Sequence, residues 1–222
     1  MDEQELHAEI VALCGEVNNT YEALRRVENE VAAALAAGHK IELPEGFDGT
    51  HFQWCLARNI FDVAARFSPP AVEPGRRYRA AREALYPTME RALQGLRVGD
   101  ASMLEYAVAY LEADPWDNHS GYFKQKLMRA LRGVPLSETD RLRLRAAILS
   151  ALTRGRRKEQ SETRALARRL DSPAFRLALA DLVAETKDEG TRERAGMTLA
   201  ACRLNDVHHD LRGAVNRSDS SA

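Results

Sequence analysis

The sequence predicts an all-α protein, a helical array that begins with one long N-terminal helix. Three observations predict this class. Hydrophobic residues make up 45% of the 222 positions and aromatic residues only 6%, and the abundant Ala, Leu, Arg and Glu favour helix over sheet. Apolar residues recur at spacings of three and four along most of the chain. No window of alternating β-branched residues with a hairpin turn competes with this pattern.

The first segment carries an apolar seam of the kind found in coiled coils. Its members are separated by alternating steps of three and four residues, and they are Leu6, Ile10, Leu13, Val17, Leu24, Val27, Val31 and Ala34, with Thr20 in the remaining place. The seam predicts one helix over residues 2–37, which Gly15 or Asn18-Asn19 could divide in two. Since burying each Leu or Val is worth roughly 1.5–3 kcal/mol, this helix must pack on the body of the protein or on a second copy, as a homodimer.

Prolines and glycines punctuate the middle of the chain. Pro44, Gly46 and Gly49 predict a loop before a helix over residues 50–67. A proline-rich linker is predicted at 68–75, then a helix over 76–96 that Pro87 must kink or divide, and a short helix over 102–111. We expect one all-helical domain over residues 1–206, in which any sub-boundary would fall near 68–75.

The remaining sequence is typical of helix pairs joined by tight turns. Ser137 and Asp140 resemble a capping box that opens a helix with Leu144, Ile148 and Leu152 on one side. One further helix is predicted to end at residue 170. The next begins at Asp171-Ser172-Pro173, where Pro173 takes the first helical position, and the last helix ends at residue 202. The tail over 207–222 is short of apolar residues, so we expect it to be frayed.

The C-terminal half resembles HEAT-like α-helical repeats. The resemblance is carried by the pair over residues 172–203, whose second arm, TRERAGMTL at 191–199, alternates small and large apolar residues four apart. It covers about the last 85 residues and implies a HEAT-like, α-solenoid arrangement, a curved stack used for binding partners. It implies no catalytic residue.

Charge is unevenly distributed along the chain. Residues 1–50 carry 3 Lys/Arg against 11 Asp/Glu, a net charge of −8, whereas residues 124–176 carry 15 against 5, a net charge of +10. We expect the basic half to bind an acidic partner surface through Arg154, Arg156, Arg157, Arg164 and Arg168, because arginine forms bidentate contacts with carboxylate and phosphate. Two other interpretations stay open: solvated helix faces, or pairing with the acidic first helix.

The segment over residues 112–122 has the densest group of chemically capable side chains. Asp117 and His119 are the candidates for a general acid/base pair, and a metal-free hydrolase built around Asp117-His119-Ser120 is one interpretation. The structural interpretation is favoured, in which the polar residues cap helices and Trp116 and Tyr122 anchor the loop to the core.

Other motifs and targeting signals are missing from the sequence. It has no glycine-rich phosphate loop, no nucleophile elbow and no histidine pair at metal-site spacing, so we expect no metal and no cofactor. The acidic N-terminus and the lack of a long apolar run predict a cytoplasmic protein with no membrane partner. Cys14, Cys55 and Cys202 are far apart, which indicates reduced, mostly buried thiols.

Two functional classes follow from these patterns. The first is a non-catalytic protein-interaction module, an adaptor or an inhibitor of another protein, that binds through a basic helical-repeat face. The alternative is a nucleic-acid-binding or DNA-base-processing protein, since some DNA glycosylases use a HEAT-like stack of similar size. The resemblance would then make Asp117, Trp116 and Arg154 the candidate residues.

Overall fold

The computed structural model describes residues 3–117, 119–154 and 159–218, with side chains described from residue 4 to residue 203 within these ranges. All regular elements in these ranges are helical, which confirms the all-α class. The helices are α1 (Glu3–Ala36), α2 (Thr50–Leu56), α3 (Phe61–Arg66), α4 (Pro69–Arg97), α5 (Leu104–Ala113), α6 (Ser120–Leu131), α7 (Glu138–Thr153), α8 (Gln160–Arg169), α9 (Pro173–Glu185) and α10 (Glu189–Ser218). A single 3-10 turn, Ala101–Met103, precedes α5.

The N-terminal segment forms one uninterrupted helix, as predicted, and packs on the body of the same chain. Helix α1 lies against α3, α4 and α5. At three places the buried residue is the one directly after the residue that the seam predicts. Leu13, Thr20 and Ala34 of the seam are half-buried, and the residues that follow them, Cys14, Tyr21 and Leu35, are buried. Both stripes share Ile10, Val17 and Val31, and Leu24 of the predicted seam is half-buried. The predicted seam assumes the 3.5-residue repeat of a helix wound around one partner. Helix α1 packs against three neighbours with 3.6 residues per turn, so its buried stripe drifts away from that repeat.

The predicted helix over 50–67 is two short helices. Asn59 adopts a left-handed backbone conformation with φ of 55°, and this turns the chain between α2 and α3. Asparagine is one of the few side chains that tolerate this region. Phe52 and Cys55 of α2 and Ala64 and Ala65 of α3 form a small second core with Val31 and Leu35 of α1.

The predicted linker is helical from Pro69 onward. Helix α4 begins seven residues earlier than expected because Pro69 and Pro70 occupy its first positions, where a missing N–H costs nothing. Pro74 and Pro87 lie inside the helix, so each removes one backbone hydrogen bond. The buried side of α4, which includes Tyr78, Leu85 and Met89, packs against α1, α5 and α6 and keeps the segment helical.

The C-terminal half matches the predicted start signals. Ser137 and Asp140 form a capping box at α7, with the Asp140 N–H 3.1 Å from Ser137 Oγ, and Ser172 caps α9 before Pro173. Helix α5 packs against α7, α6 against α8, and α10 against α7, α8 and α9. The backbone of α10 is helical to Ser218, further than predicted. Residues 219–222 lie outside the described part of the chain, and fraying of the tail over 207–222 stays a prediction, as does the single domain.

One large core runs from α1 to α10. It includes the predicted column of Leu144, Ile148 and Leu152, and Tyr110 is its largest fully buried side chain. Cys14, Cys55 and Cys202 are buried free thiols, as predicted. Burial raises the pKa of Cys14 to about 12 and that of Cys202 to about 11, so neither thiol ionises readily near neutral pH.

Candidate functional site

Arg154, whose side chain is 45% exposed, forms an ion pair with a buried carboxylate. It follows the last residue of α7, and its Nη1 lies 2.9 Å from Oδ2 of Asp114, which is only 4% exposed. The same guanidinium donates to Ser150 Oγ at 3.1 Å. Arg156 and Arg157, predicted beside it, lie outside the described residues. Part of the basic cluster that the sequence indicates is therefore engaged in holding α7 to the end of α5.

A buried cluster of charges continues from Asp114. Asp114 adopts a left-handed conformation with φ of 47° at the end of α5, which is uncommon for a residue with a side chain. Its Oδ1 pairs with Nζ of Lys124, a lysine only 2% exposed, and Glu159 Oε1 lies 3.7 Å from the same Nζ. Breaking a buried pair by removing one partner is strongly destabilising, so this cluster ties α5, α6 and the start of α8 together.

Arg164 and Arg168 lie on α8 at positions four apart. Arg168 is exposed and Arg164 is half-buried, with Nη1 3.0 Å from the Met197 sulfur of α10. Helix α8 packs against α6 and α10, whose outer sides also carry exposed or half-exposed cations. We call the set the basic layer: Lys126 and Arg129 on α6, Arg132 directly after α6, Arg164 and Arg168 on α8, and Arg203 on α10. Glu162 is a carboxylate within it, paired with Arg129 at 2.7 Å and Arg132 at 3.1 Å.

Several other arginines bind backbone carbonyls at helix ends. Arg145 Nε donates to Leu170 O at 2.7 Å, at the end of α8, and Arg194 Nε donates to Leu152 O at 2.8 Å, in the last turn of α7. Arg169 Nη2 donates to Val134 O at 2.6 Å, just beyond α6. These carbonyls lack helical partners, and a cation there also interacts favourably with the helix dipole. Arg145 and Arg169 of the basic segment over 124–176 are thus engaged within the fold.

Asp117 is a helix cap. Its Oδ1 accepts the N–H of His119 at 2.8 Å and of Ser120 at 2.6 Å, while the Asp117 N–H donates to Ser120 Oγ at 3.0 Å. Tyr86 Oη donates to the same carboxylate at 3.0 Å. Burial, with Asp117 nearby, raises the pKa of Tyr86 above its usual value. The His119 side chain is exposed, so the hydrogen bond between the two candidates joins a backbone N–H to a carboxylate.

The two aromatic residues of the segment over 112–122, Trp116 before α6 and Tyr122 on it, are more exposed than expected. Trp116 is 57% exposed and Tyr122 is 54% exposed. Trp116 packs its ring edge on Tyr21, with centroids 5.8 Å apart, and its backbone N–H donates to Asn18 Oδ1 at 2.6 Å. The predicted anchoring of the loop therefore comes from the Asp117 cap and this backbone contact more than from burial of the aromatic rings.

A polar groove that the sequence did not indicate lies between α1, α5 and α7. It has a volume of about 670 Å³, and His7, Glu105, Glu112 and Arg143 line it. Arg143 is bidentate to both carboxylates, at 2.6 and 2.8 Å to Glu105 and at 2.9 and 2.7 Å to Glu112. His7 Nδ1 lies 3.0 Å from Glu105 Oε1. These residues come from positions up to 136 apart, so no local spacing could have revealed the group.

One arginine in this group is shared between two carboxylates. Burial raises the pKa of Glu105, but hydrogen bonds and the charge of Arg143 outweigh it and hold that pKa below its usual value. The two carboxylates in turn raise the pKa of Arg143. The arrangement fastens α1 to α5 and α7 electrostatically.

Comparisons with known proteins give no relative: no family model, curated protein or solved structure matches the chain. Within the described ranges, no group of three or more His, Cys, Asp or Glu side chains is arranged to hold a metal ion. In the same ranges, no helix combines the length and the apolar character needed to cross a bilayer.

Proposed function

We propose that the chain is a non-catalytic protein-interaction module, an adaptor or an inhibitor of another protein, that binds an acidic partner surface through the basic layer. The observation that carries the proposal is the exposure of Lys126, Arg129, Arg168 and Arg203 on the outer sides of three adjacent helices. Exposed arginines on a rigid helical scaffold suit carboxylate recognition and speed association electrostatically.

The order of packing supports a HEAT-like interpretation of this half. In the pairs α5–α6, α7–α8 and α9–α10, the first helices α5 and α7 pack together, and the second helices α6, α8 and α10 pack in sequence. Stacked pairs of this kind present one continuous surface to a partner. The basic layer would then be formed by the second helix of each pair. The cytoplasmic location expected from the sequence belongs to the same proposal.

A protein partner is favoured over nucleic acid by the acidic residues near the cations. Glu162 neutralises part of the charge of Arg129 and Arg132, and exposed Glu193 lies on α10. Nucleic-acid affinity depends on an extended positive footprint. The candidates for base chemistry are engaged elsewhere, because Asp117 caps α6 and Arg154 pairs with Asp114.

Charge reversal tests the proposal directly. The basic-layer variant carries Lys126→Glu, Arg168→Glu and Arg203→Glu, three exposed positions. Its matched control carries Arg26→Glu, Arg79→Glu and Arg97→Glu, three exposed arginines on α1 and α4 with the same change in net charge. Binding to immobilised poly-L-glutamate is measured by biolayer interferometry, with circular dichroism as the check on folding.

The expected result is a loss specific to the basic layer. Each exposed ion pair is worth roughly 0.2–1 kcal/mol, so losing three and adding repulsion should weaken binding by about tenfold or more, at 1.4 kcal/mol per factor of ten. The control variant should bind nearly as well as the wild type. Equal losses in both variants would overturn the proposal. Tighter binding of the wild type to duplex DNA than to poly-L-glutamate at the same salt would instead favour the nucleic-acid alternative.

A further inference from the structure

The exposed side of helix α1 carries a stripe of four glutamates. We define its acidic face as Glu5, Glu9, Glu16 and Glu30, all exposed. At about 100° per residue, these four positions lie within about 60° of one another around the helix axis. Exposed alanines at positions 12 and 23 lie in the same sector. A partner can therefore approach the helix closely between the carboxylates.

The acidic face and the basic layer are carried by helices that pack mainly on common neighbours and not on each other. Helix α1 packs mainly against α3, α4 and α5, and it reaches α7 through His7 and Arg143. The helices of the basic layer pack against α4, α5 and α7 as well as one another. Helices α4, α5 and α7 thus separate the two charged surfaces, so the opposite charges are held apart within one copy.

This arrangement makes the chain a dipole with almost no net charge. The formal net charge is −1, so two copies meet little long-range repulsion, whereas each presents a surface complementary to the other. Proteins whose net charge is close to zero associate more readily than strongly charged ones. Complementary patches orient the encounter.

We propose that the acidic face of one copy binds the basic layer of a second copy, head to tail. The inference rests on the proposed function, because it names the acidic partner that the basic layer binds. A head-to-tail contact leaves one acidic face and one basic layer unused at the ends, so association continues into a ring or an open chain.

The size of the interface indicates a weak contact. Helix α1 has 34 residues, which gives a length of about 51 Å at ~1.5 Å per residue. The acidic face from Glu5 to Glu30 occupies about 39 Å of this length, so a strip about 10 Å wide along it covers about 390 Å² on each partner, or about 780 Å² in total, in the range of weak and transient contacts. Association should therefore be reversible and strongly dependent on salt.

Sedimentation velocity of the full chain tests the wild type first. At about 10 mM salt, where charges act over ~30 Å, we expect oligomers, and at about 1 M salt, where charges act over ~3 Å, we expect monomers. A wild type that is monomeric at both salt concentrations would overturn the inference. So would oligomers that persist unchanged at high salt, since these would be held by an apolar contact.

Two charge-reversed variants then test the geometry. The acidic-face variant carries Glu9→Lys, Glu16→Lys and Glu30→Lys, and the basic-layer variant is the one defined above. Each should be monomeric alone at low salt, because its two surfaces carry the same sign. An equimolar mixture should associate again, because each variant supplies the complement that the other lacks. A mixture that stays monomeric while both variants are folded by circular dichroism would refute the head-to-tail contact.

The two proposals fail in distinguishable ways. If the wild type stays monomeric but binds poly-L-glutamate through the basic layer, the head-to-tail inference is wrong and the proposed function stands. If the basic-layer variant binds poly-L-glutamate as well as the wild type, both are wrong. The acidic-face variant should retain poly-L-glutamate binding, since its basic layer is intact.

Discussion

Replacing Lys124 with methionine tests whether the buried charge cluster holds the fold together. Lys124 is 2% exposed and its ammonium group lies between Asp114 and Glu159, whose side chains are 4% and 6% exposed. Lys124→Met keeps most of the side-chain volume and removes the charge. The two carboxylates then lose the cation that lies between them, while the pair of Arg154 with Asp114 remains.

The expected cost is large because the remaining charges stay buried. Removing one partner of a buried ion pair costs roughly 3–5 kcal/mol. For a chain of 222 residues, each kcal/mol lowers the melting temperature by roughly 2–4 °C, so we expect a decrease of about 6–20 °C.

Urea unfolding followed by circular dichroism measures the loss, with Lys126→Met as the matched control. Lys126 lies two positions away on α6 and is exposed, so its replacement should change the free energy of unfolding by no more than about 0.5 kcal/mol. If Lys124→Met is as stable as Lys126→Met, the cluster does not contribute to stability and the reasoning fails.

Four further predictions follow from the described contacts. Because Trp116 is 57% exposed, Trp116→Ala should cost about 1 kcal/mol in urea unfolding, well below the roughly 3–5 kcal/mol of a buried aromatic residue. Asp117→Ala should cost about 2 kcal/mol in the same assay, since it removes the cap of α6 and the acceptor of the Tyr86 hydroxyl, whereas His119→Ala should be nearly neutral. Deleting residues 1–37 should abolish the cooperative thermal transition, because α1 supplies part of both cores. The pKa of Glu105 lies below its ordinary value of 4.5, so its stabilising contribution is present above pH ~4.5 and is lost as pH falls through the lowered pKa. Differential scanning calorimetry should therefore show the stability advantage of the wild type over Glu105→Gln shrinking below that pH.

Each of these predictions has an outcome that contradicts it. A loss of several kcal/mol in Trp116→Ala would show that the ring is buried in solution. A stable Asp117→Ala protein would mean that Asp117 is not the cap of α6. A cooperatively folding truncation would show that α1 is dispensable to the cores. An advantage over Glu105→Gln that grows on acidification would reverse the sign assigned to that carboxylate.

The sequence was sufficient for the fold class and for most helix starts. The capping box of Ser137 and Asp140 and the Ser172-Pro173 start are local signals, and both elements begin where these residues predict. Helix α4 was predicted to begin late because prolines break isolated helices. Its buried face keeps the segment helical in the fold, and that packing depends on helices distant in sequence.

The candidate sites were less predictable because their contacts are long-range. Asp117 and His119 were recognised as chemically capable, but only the structure shows the Asp117 carboxylate accepting the N–H groups at the start of α6. The His7–Arg143 contact joins residues 136 positions apart. The excess of arginine indicated a binding surface. In the structure, Arg145 and similar residues bind carbonyls at helix ends instead. Counting charges along the sequence cannot distinguish such arginines from those that would bind a partner.

Comparing Arg154→Ala with Arg168→Glu tests most directly which arginines hold the fold together and which bind a partner. Stability and poly-L-glutamate binding are measured on both proteins. Arg154 pairs with buried Asp114, so its loss should lower the free energy of unfolding by about 1 kcal/mol and leave binding per folded molecule unchanged. Arg168 is exposed on the basic layer, so its reversal should weaken binding severalfold while the protein stays folded. If Arg168→Glu destabilises the fold and retains binding while Arg154→Ala abolishes binding, the division between internal and partner-binding arginines is wrong.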